Sequence, residues 1–170
     1  MPKTVNEIAR ELREFMDKNK RNVVTFPLDE FYTFVDRMVI KEAFEAELYN
    51  ALFDLQLIYQ RGASCFIVVR DYNFSRDQQD KLPAAGKRSA EQCAETVRNF
   101  LDLQVMPQPV LSMRWKPDMY QFVGRTIWRD KFTEDLQHAC HAYEMQFLVG
   151  SACGIFVWDY NFASAKGELY

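Results

Sequence analysis

Glycine and histidine are scarce in this chain, with six glycines and two histidines among 170 residues. The glycines are scattered. Neither a G-x-x-x-x-G-K-[ST] loop nor a G-x-G-x-x-G turn occurs, so a glycine-rich phosphate cradle of either kind has little support. His138 and His141 share one segment with Cys140 and Glu144, but an i, i+3, i+6 spacing drifts around a helix and no H-E-x-x-H is present. No metal site and no cofactor is expected. A G-x-S-x-G nucleophile turn is also missing, so no catalytic residues are assigned. The four cysteines lie far apart without a C-x-x-C pair or zinc spacing, and they read as buried free thiols of a reducing compartment. No apolar run is long enough to span a bilayer. The first residues, Met-Pro-Lys-Thr-Val-Asn-Glu, lack the basic-then-apolar order of a signal peptide, so a cytoplasmic location is expected. A net charge of −3 is neither the basic excess of a general nucleic-acid binder nor the extreme of an acidic DNA mimic.

What the chain does have is apolar material. Hydrophobic residues make up 48% and aromatics 15%, enough for a core without staples, and 26% charged residues keep the surface wet. It also has an internal echo. Gly62 to Phe74 reads G-A-S-C-F-I-V-V-R-D-Y-N-F, and Gly150 to Phe162 reads G-S-A-C-G-I-F-V-W-D-Y-N-F. The match runs back about 88 positions apart, pairing Tyr32, Phe34, Val35, Arg37, Phe44, Leu48 and Ala51 with Tyr120, Phe122, Val123, Arg125, Phe132, Leu136 and Ala139. About one residue in three is identical from Glu30 to Phe74, which signals a structural repeat. The expected organisation is repeat 1 over residues 1–75, a linker over 76–88, repeat 2 over 89–162 and a tail over 163–170.

Each half reads as α-β-β-α-β, making an α+β fold of pseudo-two-fold symmetry. Val5, Ile8, Ala9, Leu12, Phe15 and Met16 form a helical stripe behind a Thr4–Glu7 capping box, and Ser89–Gln92 opens a second such helix. Asn22–Phe26 and Phe31–Ile40 read as strands around a Pro-Asp turn, as do Val110–Trp115 and Tyr120–Trp128. A helix starting at the proline is the alternative, and the aromatic, β-branched content favours strand. A long helix from about Lys41 to Gln60 ends at Gly62, with its counterpart ending at Gly150. The closing strand is apolar on both faces and fits an interior position.

The candidate binding residues are the two strand ends, Asp71, Tyr72 and Asn73 with Asp159, Tyr160 and Asn161. Each aspartate continues an apolar stripe and needs a donor. Arginine's planar fork can supply two bonds, so structural ion pairs Arg37–Asp71 and Arg125–Asp159 are expected. The basic, aromatic stretch around Trp115 and Trp128 could stack on nucleic acid, though hairpin aromatics are more often core. Three functions compete. The preferred one is a non-enzymatic binding protein, an inhibitor or adaptor with a protein partner. A small-ligand or hydrolytic protein using a cleft between the repeats, and a nucleic-acid binder using the Trp115 hairpin, are the alternatives.

Overall fold

A computed structural model describes residues 2–83, 86–103 and 109–170. The fold is α+β, with two three-stranded antiparallel sheets and seven α-helices among the described residues. Two compact units divide it, the first comprising residues 1–71 and 159–170 and the second residues 72–158.

In the first unit, helix α1 (Val5–Lys18) starts where the capping box predicts. The Thr4 hydroxyl accepts from the Glu7 N–H while the Glu7 carboxylate reaches back to the Thr4 N–H. Its apolar stripe buries Ile8, Ala9, Leu12, Phe15 and Met16. Then come β1 (Val23–Pro27), α2 (Leu28–Val35), α3 (Glu42–Asp54), β2 (Leu57–Arg61) and β3 (Cys65–Arg70). Strand β3 lies in the middle, in the order β1-β3-β2, with Val23 opposite Val69 and Leu57 opposite Arg70. Its alternate residues Phe66 and Val68 join the helices in one core cluster, and Cys65, Ile67 and Val69 on its other face are buried too. At the heart of the cluster Phe31 stacks on Phe66 with ring centres 4.3 Å apart.

The second unit follows the same element order. A short helix α4 (Arg76–Gln79) precedes α5 (Ala90–Asp102), β4 (Val110–Arg114), α6 (Tyr120–Val123), α7 (Asp130–His141), β5 (Met145–Val149) and β6 (Cys153–Trp158). The strand order is β4-β6-β5. Ser89 and Gln92 form the second capping box, and Cys93, Ala94, Val97, Phe100 and Leu101 line the buried face of α5.

Three sequence expectations are corrected. Phe31–Ile40 and Tyr120–Trp128 are not strands. The chain turns into α2 directly after Pro27, whose fixed φ suits a helix start, and Phe31, Phe34 and Val35 bury at helical rather than alternating spacing. The Trp115 segment is accordingly no hairpin, because the chain passes through an extended Lys116 (φ −122°, ψ 130°) and then enters α6 rather than a second strand. Nor does the long helix reach Gln60. It stops at Asp54, Gln56 takes a left-handed φ of 62°, and Leu57 begins a strand; Glu144 does the same at φ 57° before β5.

The third correction concerns boundaries. Residues 163–170 are more than a tail. Thr25 N–H donates to Ala163 O, Thr25 and Ser164 form a parallel bridge, Tyr170 hydroxyl donates to Glu30 at 2.6 Å, and Ala165 is wholly buried. Likewise the expected linker belongs to the second unit's body. Gln79 bonds Asp118 at 3.1 Å, and buried Arg88 caps the carbonyls of Phe122 and Pro83.

No helix among the described residues is long and apolar enough to cross a membrane. Leu48→Ala and Leu136→Ala, both at positions with no exposed surface, are each expected to cost about 2–5 kcal/mol in urea unfolding. Met38→Ala, at a position 95% exposed, should stay within about 0.5 kcal/mol. Equal effects at all three positions would mean that the core is misassigned.

Candidate binding site

The two D-Y-N-F strand ends turn out to be anchors. Asp159 is buried, and its carboxylate accepts the backbone N–H groups of Ala63 at 2.5 Å and Ser64 at 3.1 Å, with the Cys65 thiol at 3.7 Å. These donors lie in the tight turn between β2 and β3, closed by Gly62 N–H to Cys65 O at 2.8 Å. A Cβ at Gly62 would overlap the Asp159 carboxylate, so glycine is required there by close approach. Asp71 is buried as well, and its N–H donates to Gln56 O at 2.9 Å.

The asparagines and tyrosines complete the anchors. Asn161 Oδ1 accepts from the Thr25 hydroxyl at 2.8 Å, which itself accepts from Ala163 N–H. In the second unit Ser112 hydroxyl reaches Asn73 Oδ1 at 3.5 Å and accepts from the N–H groups of Phe74 and Ser75. Tyr72 meets Phe74 edge-on, and Tyr160 meets Phe162 in the same way, both with ring centres 5.6 Å apart. Thr25 and Ser112 were not singled out from sequence. Their signal was a lone hydroxyl in an apolar strand, V-V-T-F and V-L-S-M, where burial demands a partner.

The arginines are not where the ion-pair expectation put them. Arg37 donates to Lys3 O at 3.1 Å and lies over the Phe44 ring at 4.2 Å. Arg125 donates to Arg88 O at 3.2 Å and lies over Phe132 at 4.3 Å. In both, Nε is buried without a hydrogen-bond partner. Stacking on an aromatic face and a backbone carbonyl hold each guanidinium, and Asp159 is satisfied by backbone amides instead. Trp115 and Trp128 are half-buried against the second core, edge-on to each other at 5.3 Å. Trp115 Nε1 donates to Gly150 O and Trp128 Nε1 to Thr133 Oγ1, so neither indole N–H is open to a base.

Each stacked arginine opens a cavity beside a loop that joins two helices. In the first unit the cavity, about 550 Å³, is lined by Arg37, Val39, Lys41, Phe44 and Glu47. In the second, about 500 Å³, it is lined by Arg125, Ile127, Arg129, Phe132 and Asp135, and also by Lys131 and Lys87. Arg37, Val39, Lys41, Phe44 and Glu47 lie 88 positions before Arg125, Ile127, Arg129, Phe132 and Asp135. Both loops begin with a left-handed residue, Asp36 at φ 56° and Gly124 at φ 73°. A side chain at Gly124 would lie 2.7 Å from Gly86 O, which leaves glycine as the residue that fits. The loops project apolar side chains into water, with Met38 95%, Val39 66% and Ile127 65% exposed.

Thiol chemistry has poor prospects. All four cysteines are buried, and burial pushes the thiols of Cys65, Cys93 and Cys140 up to about 12. Near Cys65 the Asp159 carboxylate adds to the effect. Among the described residues no group of three His, Cys, Asp or Glu side chains is placed to hold a metal, and His141 Nε2 lies 3.2 Å from Gln146 Oε1.

Two outcomes test this description. Native protein treated with iodoacetamide at about pH 8 should stay unlabelled at Cys65, Cys93 and Cys140 by mass spectrometry, and label fully in denaturant. Asp159→Asn places an amide where two backbone donors converge, and should lower stability by about 1–3 kcal/mol in thermal unfolding. An unchanged melting temperature would remove Asp159 from its anchoring role. No protein-family model matches the chain, and neither a curated protein nor a solved structure matches it at a significant level, so the site's own geometry is what bears on function.

Proposed function

We propose that this chain is a non-enzymatic binding protein, an inhibitor or adaptor that docks on a larger protein assembly as a single-chain pseudo-dimer of a duplicated unit. The observation that carries the reading is the pair of projecting loops. Val39 in one and Ile127 in the other expose large apolar side chains at positions 88 residues apart, and Met38 beside Val39 adds a third in the first loop. Isolated exposed apolar residues are common on protein surfaces. Apolar residues at matched loop tips, each held by a stacked arginine and a left-handed turn, suit a surface kept for a partner. The self-similarity of the sequence, together with the shared element and strand orders, supports a duplicated origin.

Trp115 and Trp128 do not contribute to this reading, because both are half-buried in the second unit and their indole N–H groups are used there. The nucleic-acid alternative loses ground for a separate reason. The pairs α2–α3 and α6–α7 have the connectivity of a helix-turn-helix, whose second helix enters the major groove. Here α3 carries Glu42, Glu45, Glu47 and Asp54 with no Lys or Arg, and α7 carries Asp130, Glu134 and Asp135 against Lys131 alone. A DNA backbone laid along the length of either helix would therefore meet a net negative surface.

The test is capture from lysate of the source organism. Immobilised wild-type protein should retain a protein species, identified by mass spectrometry, that the Met38→Asp/Val39→Asp and Ile127→Asp variants retain at least about tenfold less well. The substituted positions are exposed, so these variants should fold normally. Equal capture by the variants, or no capture by the wild type above a bare matrix, would defeat the reading.

A further inference from the structure

The two matched cavities differ in one respect that matters chemically. In the first unit, Arg37 and Lys41 face Glu47, and the cavity is close to balanced. In the second, Lys87, Arg125, Arg129 and Lys131 line the cavity together with a single carboxylate, Asp135. Lys131 stands where the first unit has Ala43, and Lys87 comes from the segment preceding α5. The excess sits on a chain whose net charge is −3, so it is local and has no global source.

We infer that the second unit's cavity binds a small molecule through a polyphosphate group. The volume of about 500 Å³ lies within the usual range for small-ligand sites. Arg125 is set in advance, since Phe132 lies under its guanidinium at 4.3 Å and Arg88 O takes one N–H at 3.2 Å. A fixed guanidinium fork matches two phosphate oxygens, and the neighbouring Arg129 fork and Lys87 ammonium add charge without rigid geometry. Lys131 is held 3.1 Å from Asp135, which offsets one positive charge and leaves an excess of about three. A monocarboxylate or a single phosphate would leave much of that excess unmatched, whereas a di- or triphosphate carries comparable negative charge. Ile127 and Phe132 supply apolar wall for whatever the phosphates are attached to. This inference does not depend on the protein-docking reading, which rests on the loop tips.

The matched cavity provides the control inside the same molecule. Isothermal titration of the full chain with inorganic pyrophosphate, at about 20 mM ionic strength, should show one site, weakened at least about tenfold at 0.2 M salt. Inorganic monophosphate and citrate should each bind at least about tenfold more weakly than pyrophosphate. Arg129→Gln/Lys131→Gln and, separately, Lys87→Gln should each lower pyrophosphate affinity, the double variant at least about tenfold. Lys41→Gln, in the first unit's cavity, should leave it unchanged. All these side chains are exposed, and circular dichroism would confirm that the variants fold. No binding by the wild type, equal affinity for citrate, full retention in the double variant, or an equal loss in Lys41→Gln would each overturn the inference.

Discussion

A buried carboxylate has to be satisfied, and in the first unit that requirement organises everything around the β2–β3 turn. Asp159 is 5% exposed and draws on the amides of Ala63 and Ser64, so the chain after β6 must run directly over that turn. Residue 62 must then lack a side chain, because any Cβ would overlap the carboxylate. From this point the terminal residues continue along β1. Thr25 holds Ala163 and Asn161, and Arg21 holds Ser164 O at 2.7 Å and Glu168 at 3.1 Å. One acid, one glycine and one threonine thereby convert a terminal segment into part of a core that reaches Tyr170, whose ring lies 5.4 Å from Phe26.

The same economy appears in the second unit with different residues. Ser112, a wholly buried hydroxyl on β4, accepts from two consecutive backbone N–H groups at Phe74 and Ser75. Buried Arg88 fastens the following segment to the carbonyls of Phe122 and Pro83 while lying over the Phe122 ring at 4.5 Å. Polar side chains on apolar strands serve here to tie down chain entering from outside the sheet. They are costly to bury alone and stabilising when paired, which is why they sit where an incoming backbone supplies the partners.

With the sheets and their incoming segments secured, the helix–helix loops are left to face water. A left-handed residue starts each loop and an arginine stacked on a phenylalanine closes it, so the exposed apolar tip is carried on a defined backbone. Rigid presentation lowers the ordering cost of binding, and the cavities behind the tips share the same arginines. The cavities differ in charge while their supports match, which separates what holds the loop from what the loop can recognise.

The amino-acid pattern was sufficient for features whose physics is local. Both capping boxes, the stripes of α1 and α5, and the buried residues of β3 and β6 follow from spacing and side-chain type within a few residues, whereas Gly62 and Gly150, expected to cap helices, lie in turns between strands. Helix α2 was also locally encoded, since Phe31, Phe34 and Val35 sit at helical spacing after a proline, but aromatic and β-branched content outweighed that spacing. The break between α3 and β2 was not legible, because Gln56 and Glu144, rather than glycines, take the left-handed turn. Only tertiary structure decided the partners of the polar groups. An arginine and an aspartate at matched positions satisfy any pairing rule on paper. Yet Arg37 stacks on Phe44, and Asp159 takes backbone amides some 95 residues away in the chain. A side chain's need for a partner is written in its chemistry, whereas which partner meets it depends on where the whole backbone passes.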